Sequence, residues 1–141
     1  LPHLKMTGEE ETCSFLDQNG RCSVHSFRPG ICRLFPLGRY YGEEGLRYFL
    51  QVHECRKEDR SKIKVKKWLG IPDIASYEKY ILQWHAFLQT CEEAMATLDD
   101  ENQRIFQLYI LRTFYQTPYG QAFYQEFYQR MCELKARLGL E

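Results

Sequence analysis

Four of the six cysteines in this 141-residue chain fall in its first 55 positions, at Cys13, Cys22, Cys32 and Cys55. Their spacing is C-x8-C-x9-C-x22-C, unlike the paired C-x2-C blocks of a zinc ribbon. Each lies beside a chain reversal: Cys13 before Asp17-Gln18-Asn19-Gly20, Cys22 after it, Cys32 after Pro29-Gly30, and Cys55 at the close of a hairpin pattern. Sharp bends can carry four distant thiolates to one point. Four thiolates suit tetrahedral Zn²⁺, and the same set holds iron–sulfur clusters. Arg21, Arg28, Arg33 and Arg56 lie close by in sequence, and positive charge favours the thiolate form that a metal requires. Two other readings stay open: a pair of disulfides in an oxidising compartment, or ordinary buried thiols. His25 or His53 could replace one cysteine, the second because a residue two before Cys55 in a strand shares its face. A packed or hydrogen-bonding histidine is the plainer expectation for both. Cys91 sits on an apolar helical stripe and is assigned to the core, while Cys132 has no partner signal.

The elements that position these residues change character along the chain. Residues 1–55 are broken every few positions by Gly or Pro, which predicts loops and short strands. Leu37–Tyr41 and Leu46–Val52 are candidate strands joined by Gly42-Glu43-Glu44-Gly45. Residues 56–70 form a charged connector, in which seven basic residues from Arg56 to Lys67 face only Glu58 and Asp59. No aromatic stacking platform is interleaved with these charges, so a solvated face is the first reading and an anion or RNA contact the second. Residues 71–141 are predicted helical. Tyr77, Tyr80, Ile81, Trp84, Phe87, Leu88, Cys91, Met95 and Leu98 repeat at helical spacing after the Pro72-Asp73 start signal. Asp99-Asp100-Glu101 suits a second helix N-terminus, with Ile105, Leu108, Leu111 and Tyr115 on one face. Thr117-Pro118 resembles an N-cap followed by Pro at the first helical position, and Phe123, Phe127, Met131, Leu134 and Leu138 run on to Gly139. The expectation is a mostly α protein: a loop-rich cysteine segment with a short β-hairpin, then an antiparallel three-helix region, together one compact domain.

Composition narrows the class. The chain has 10 Tyr, 9 Phe and 2 Trp, enough to build a core. Its 19 basic and 19 acidic residues cancel, so charge gives no general case for nucleic acid or a membrane surface. No stretch approaches the roughly 20 apolar residues of a bilayer span. The start, Leu1-Pro2-His3-Leu4-Lys5, has no initiator Met and no apolar export core. It implies an internal start in a longer gene product or removal of residues ahead of Leu1, and a cytoplasmic location.

Residues 12–36 carry a more specific pattern. Cys13-Ser14-Phe15-Leu16, Gly20-Arg21-Cys22-Ser23-Val24-His25 and Arg28-Pro29-Gly30-Ile31-Cys32-Arg33-Leu34-Phe35-Pro36 together resemble the YkgJ-like, CxxCxxCC family of zinc- or iron-chelating domains. Cys55 fits the same pattern further on. The name-giving CxxCxxCC block, expected upstream, is absent from this sequence. The resemblance therefore implies that the four cysteines form part of one site or one of two sites. The family also contains flagellin lysine N-methylases, which implies methyl transfer as a further class, although no Gly-rich nucleotide loop supports it here.

Three functions follow as expectations. The first is a metal- or iron–sulfur-binding protein with a structural or redox role, its zinc or cluster held by Cys13, Cys22, Cys32 and Cys55 and shelled by Phe15, Phe27 and Phe35. The second is a methylase-like or redox enzyme with a substrate surface at Tyr40, Tyr41, Tyr48 and His53. The third is an interaction module whose aromatic helices meet a protein partner through Tyr119, Tyr124 and Tyr128, the metal serving as a staple.

Overall fold

The computed structural model describes residues 3–54, 58–59 and 61–140. It divides into two compact units, Leu1–Pro72 and Asp73–Glu141. The fold is mostly α with small hairpins, as the sequence predicts.

The first unit opens with two short antiparallel strands, β1 (Met6–Thr7) and β2 (Thr12–Cys13), with Met6 opposite Cys13. A 3₁₀ turn at His25–Phe27 leads to α1 (Gly30–Leu34), a single helical turn that the loop-and-strand expectation for this stretch does not include. The hairpin follows as β3 (Leu37–Gly42) and β4 (Gly45–Leu50), in register from Leu37 opposite Leu50 to Gly42 opposite Gly45. A Cβ at Gly38 would run into the Phe49 ring, which covers its cross-strand glycine, so a side chain there must displace that ring. The charged stretch after the hairpin contains α2 (Val65–Leu69), which packs on α1. There Leu69 is buried and the Trp68 indole donates to the Phe35 carbonyl at 3.2 Å. Among the described residues of this unit, Leu34 and Leu69 are the buried hydrophobic side chains.

The second unit is built from α3 (Ile74–Met95), α4 (Asp100–Leu111) and α5 (Phe123–Leu138). Two of its caps stand where the sequence puts them. The Asp73 carboxylate accepts from the Ser76 amide, and Asp99 accepts from the Asn102 amide at 2.9 Å. Gly139 ends α5 in the left-handed region, as glycines at helix C-termini do. Phe87, Cys91, Phe106, Ile110, Phe114, Phe127 and Leu134 form the core. Aromatic edges and faces interlock there: the Trp84 and Phe114 centroids lie 4.8 Å apart, and Tyr80 meets Phe127 edge-on at 4.7 Å.

Two details differ from the sequence expectation. First, α4 buries Phe106 and Ile110, while Ile105 and Leu108 are 57% and 55% exposed. The apolar residues of this helix lie on two neighbouring stripes, and the larger ring at Phe106 takes the core position. Second, α5 begins at Phe123 and not at Thr117-Pro118. Thr117 instead closes a π-helical turn, Arg112–Gln116, with its hydroxyl donating to the Arg112 carbonyl at 2.8 Å. Arg130, reaching back from α5, holds this stretch out of helix by donating to the carbonyls of Thr113, Thr117 and Pro118.

Candidate metal centre

Cys13, Cys22 and Cys32 reach their places by three local devices. Cys13 ends β2, and its carbonyl accepts from the Leu16 amide at 3.0 Å, which starts the reversal. The Asp17 carboxylate then accepts from the amides of Asn19 and Arg21 at 2.9 and 2.8 Å, the Asx-type turn this residue favours. Gly20 completes that turn at φ 70°, a conformation open to glycine. The chain returns so that Cys22 bridges to Leu16, and Ser23 bonds the Phe15 carbonyl through both its amide and its hydroxyl. Pro29 then starts the single turn of α1, where its carbonyl accepts from the Cys32 amide at 3.0 Å.

The three thiols are half-buried and unbridged. Burial pushes the Cys32 thiol up, the fields of Cys13 and Cys22 push it further, and Arg28 pulls it down. The turns therefore bring the sulfurs of Cys13 and Cys22 within electrostatic reach of Cys32. Thiolates so grouped repel each other, and a cation among them turns that repulsion into attraction. The donor set fits Zn²⁺ or an iron centre in its chemistry. It is not closed: among the described residues, no three His, Cys, Asp or Glu side chains converge closely enough to hold a metal ion. The electrostatic neighbourhood and the missing convergence are compatible, because charges interact over longer distances than coordination bonds span. Cys55, the fourth expected ligand, lies outside the described residues, as does Arg56.

The other candidates are placed as follows. His25 turns to Arg28, whose guanidinium donates to His25 Nε2 at 3.1 Å, so that nitrogen serves as an acceptor. His53 is exposed beyond β4. Arg33 Nε donates to the Arg28 carbonyl, so two of the neighbouring arginines brace the Cys32 turn. Phe27 is 88% exposed and Phe15 and Phe35 also face solvent, so they do not form the expected shell. Along the hairpin, Tyr41 and Tyr48 share one face and Tyr40 points from the other, which splits the expected substrate surface. In the second unit Tyr119 and Tyr128 pack against the core, and Tyr124 meets Tyr80 and Phe123. Cys91 is fully buried, its thiol pushed up to about 11 by burial, while Cys132 is exposed. Sequence reasoning names Pro29, His25 and Arg28 separately; what it passes over is the hydrogen bond that pairs His25 with Arg28. The i, i+3 spacing of that pair before a proline was the available signal.

Residues 2–63 match the model of the CxxCxxCC family, described as "Putative zinc- or iron-chelating domain". The matched span holds all four expected ligands and agrees with the resemblance carried by Cys13–Pro36. No curated protein and no solved structure matches the chain.

Proposed function

We propose that the first unit chelates a zinc or iron centre through Cys13, Cys22, Cys32 and Cys55, and that the bound centre orders the segment around it. One observation carries the reading. The span matched by a chelating family is also one whose described residues bury a single large apolar side chain, Leu34, while three cysteines sit half-buried and unbridged. A segment with so little apolar burial gains little from the hydrophobic effect, which contributes about 1.5–3 kcal/mol per large side chain. Metal ligation contributes the missing stability, on the order of 10 kcal/mol for structural zinc in small peptides. The site is structural when zinc fills it and redox-active when an iron–sulfur cluster does. Thiols kept free for a metal suit a reducing compartment such as the cytoplasm. No helix among the described residues is long and apolar enough to cross a membrane.

Elemental analysis and a visible spectrum of anaerobically purified protein test the reading. The expected result is one zinc per chain in colourless protein, or iron with sulfide in brown protein. Metal content should fall in Cys32→Ser and stay unchanged in Cys132→Ser. Metal-free wild-type protein with native resistance to proteolysis across residues 3–54 would overturn it.

A further inference from the structure

We propose that the second unit carries an oxyanion-binding cleft for a small phosphate-bearing organic molecule, between the π-helical turn after α4 and the last turns of α5. The cleft encloses about 450 Å³ and is lined by Tyr109, Arg112, Arg130, Glu133, Leu134 and Arg137 among others. That volume lies in the range of small-molecule sites, roughly 300–1,000 Å³. Its charge is unbalanced: three guanidinium groups face one lining carboxylate, Glu133, which already accepts from Gln129 Nε2 at 2.9 Å. Glu126 lies 3.8 Å from Arg130 and tempers that arginine alone.

The three arginines have different states. Arg130 is fixed by its bonds to the carbonyls of Thr113, Thr117 and Pro118, at 2.9, 2.9 and 2.6 Å, and it stacks 3.9 Å over the Tyr119 ring. It is a rigid positive wall. Arg137 donates to the Tyr109 hydroxyl. The Arg112 guanidinium has no hydrogen-bond or ion-pair partner among the described residues, so its planar fork remains available to a ligand. Guanidinium forks bind phosphate in a two-point geometry that ammonium groups do not reproduce. The half-buried Tyr109, which lines the cleft, adds an apolar ring surface that inorganic phosphate alone leaves unused. That surface is the reason for assigning an organic phosphate. A π-helical turn, which supplies Arg112 and Thr113, is itself a feature that recurs at functional sites. The inference does not depend on the metal centre.

Titration of phenyl phosphate into the full chain, followed by calorimetry, tests the proposal. Wild-type protein should bind one equivalent at millimolar probe or tighter, and added salt should weaken binding. Arg112→Gln should weaken it several-fold and Arg112→Gln with Arg137→Gln by roughly tenfold or more. Arg104→Gln, an exposed α4 residue outside the cleft, should leave it unchanged. If the double variant loses its helical circular dichroism, Arg112→Gln alone carries the comparison, because its side chain supports no described contact. Absence of saturable binding by wild-type protein overturns the proposal, as does equal loss in Arg104→Gln. Tighter binding of benzoate than of phenyl phosphate overturns the assignment to phosphate.

Discussion

Cys32 and Cys91 show how one side-chain type takes two roles through its surroundings. The Cys91 thiol has no exposed surface and its neighbours are core residues of the helical unit. Ionising it inside that core is costly, which raises its pKa to about 11 from an ordinary 9.0. The native state therefore holds its proton more tightly than the unfolded state does. Stability from this group is complete below pH 9 and is lost as pH rises toward 11. Unfolding in urea should become easier by about 1 kcal/mol between pH 9 and 10, and Cys91→Ala should flatten that slope. Tyr115 and Tyr119, whose hydroxyls partial desolvation also pushes up, add their own slope at higher pH. A wild-type curve without such a slope between pH 9 and 10 would count against the buried-thiol account. The same burial should protect Cys91 from iodoacetamide in the native state while exposed Cys132 reacts, a difference that mass spectrometry reads directly. At Cys32, by contrast, burial is slighter and two further cysteines contribute. On the proposed chelation, deprotonation there is linked to a cation, so metal uptake should weaken as pH falls. The helical stripe made the role of Cys91 legible in the sequence. The grouping of Cys13, Cys22 and Cys32 was legible only as a candidate, since spacing says which residues carry sulfur and turns decide where the sulfur goes.

At the scale of elements, short-range chemistry set most boundaries, and a long-range contact set one that the sequence misplaced. Asp73, Asp99 and Gly139 act on amides and conformations within a few residues of themselves, so their caps could be read from neighbouring letters. Replacing Asp73 with Ala should cost about 1 kcal/mol by removing an acceptor for the Ser76 amide. Asp99 should lose its contribution in acid. Its bonds from Asn102 hold the carboxyl below its ordinary range, so that stability is present above the unfolded pKa and lost as pH falls through the folded one. The Thr117–Ala122 stretch escaped such reading because Arg130, at a distance in sequence, takes two of its carbonyls and that of Thr113 in the turn before it. Arg130→Leu should destabilise the helical unit by about 1–2 kcal/mol in urea. That is less than three charged hydrogen bonds suggest, because water can replace the two exposed ones. A neutral result would mean that the loop holds its shape without the arginine. In the hairpin, Gly38→Ala should push the Phe49 ring off its glycine. A double-mutant cycle with Phe49→Ala should show the two changes to be less than additive, since the second removes the clash that the first creates.

The whole molecule combines two units with different sources of order. The helical unit has an apolar centre of its own, in which Phe127 touches Tyr80, Trp84, Phe114 and Phe123. Phe127→Ala should cost about 3–5 kcal/mol, as aromatic deletions in close-packed cores do, and that loss should appear in the helical circular dichroism. The cysteine unit has regular hydrogen bonding in its hairpins and little apolar burial. Its backbone ladders satisfy donors and acceptors, but their net contribution per bond is small, about 0.5–1.5 kcal/mol. Ordering each residue costs a comparable amount. Ladders alone therefore leave such a segment close to balance, and on the proposed chelation a ligated metal tips it. Removing the metal with a strong chelator should raise amide exchange across residues 3–54, above all at Cys13, Cys22 and Cys32. Exchange in α3 and α5 should stay nearly unchanged, because the aromatic centre contains no thiol of the metal set. Hydrogen exchange read by mass spectrometry separates the alternatives. Equal deprotection in both units would mean that they share one cooperative transition. No deprotection in either would mean that the cysteine segment is ordered by its backbone and two buried leucines alone, which would remove the physical need for a metal.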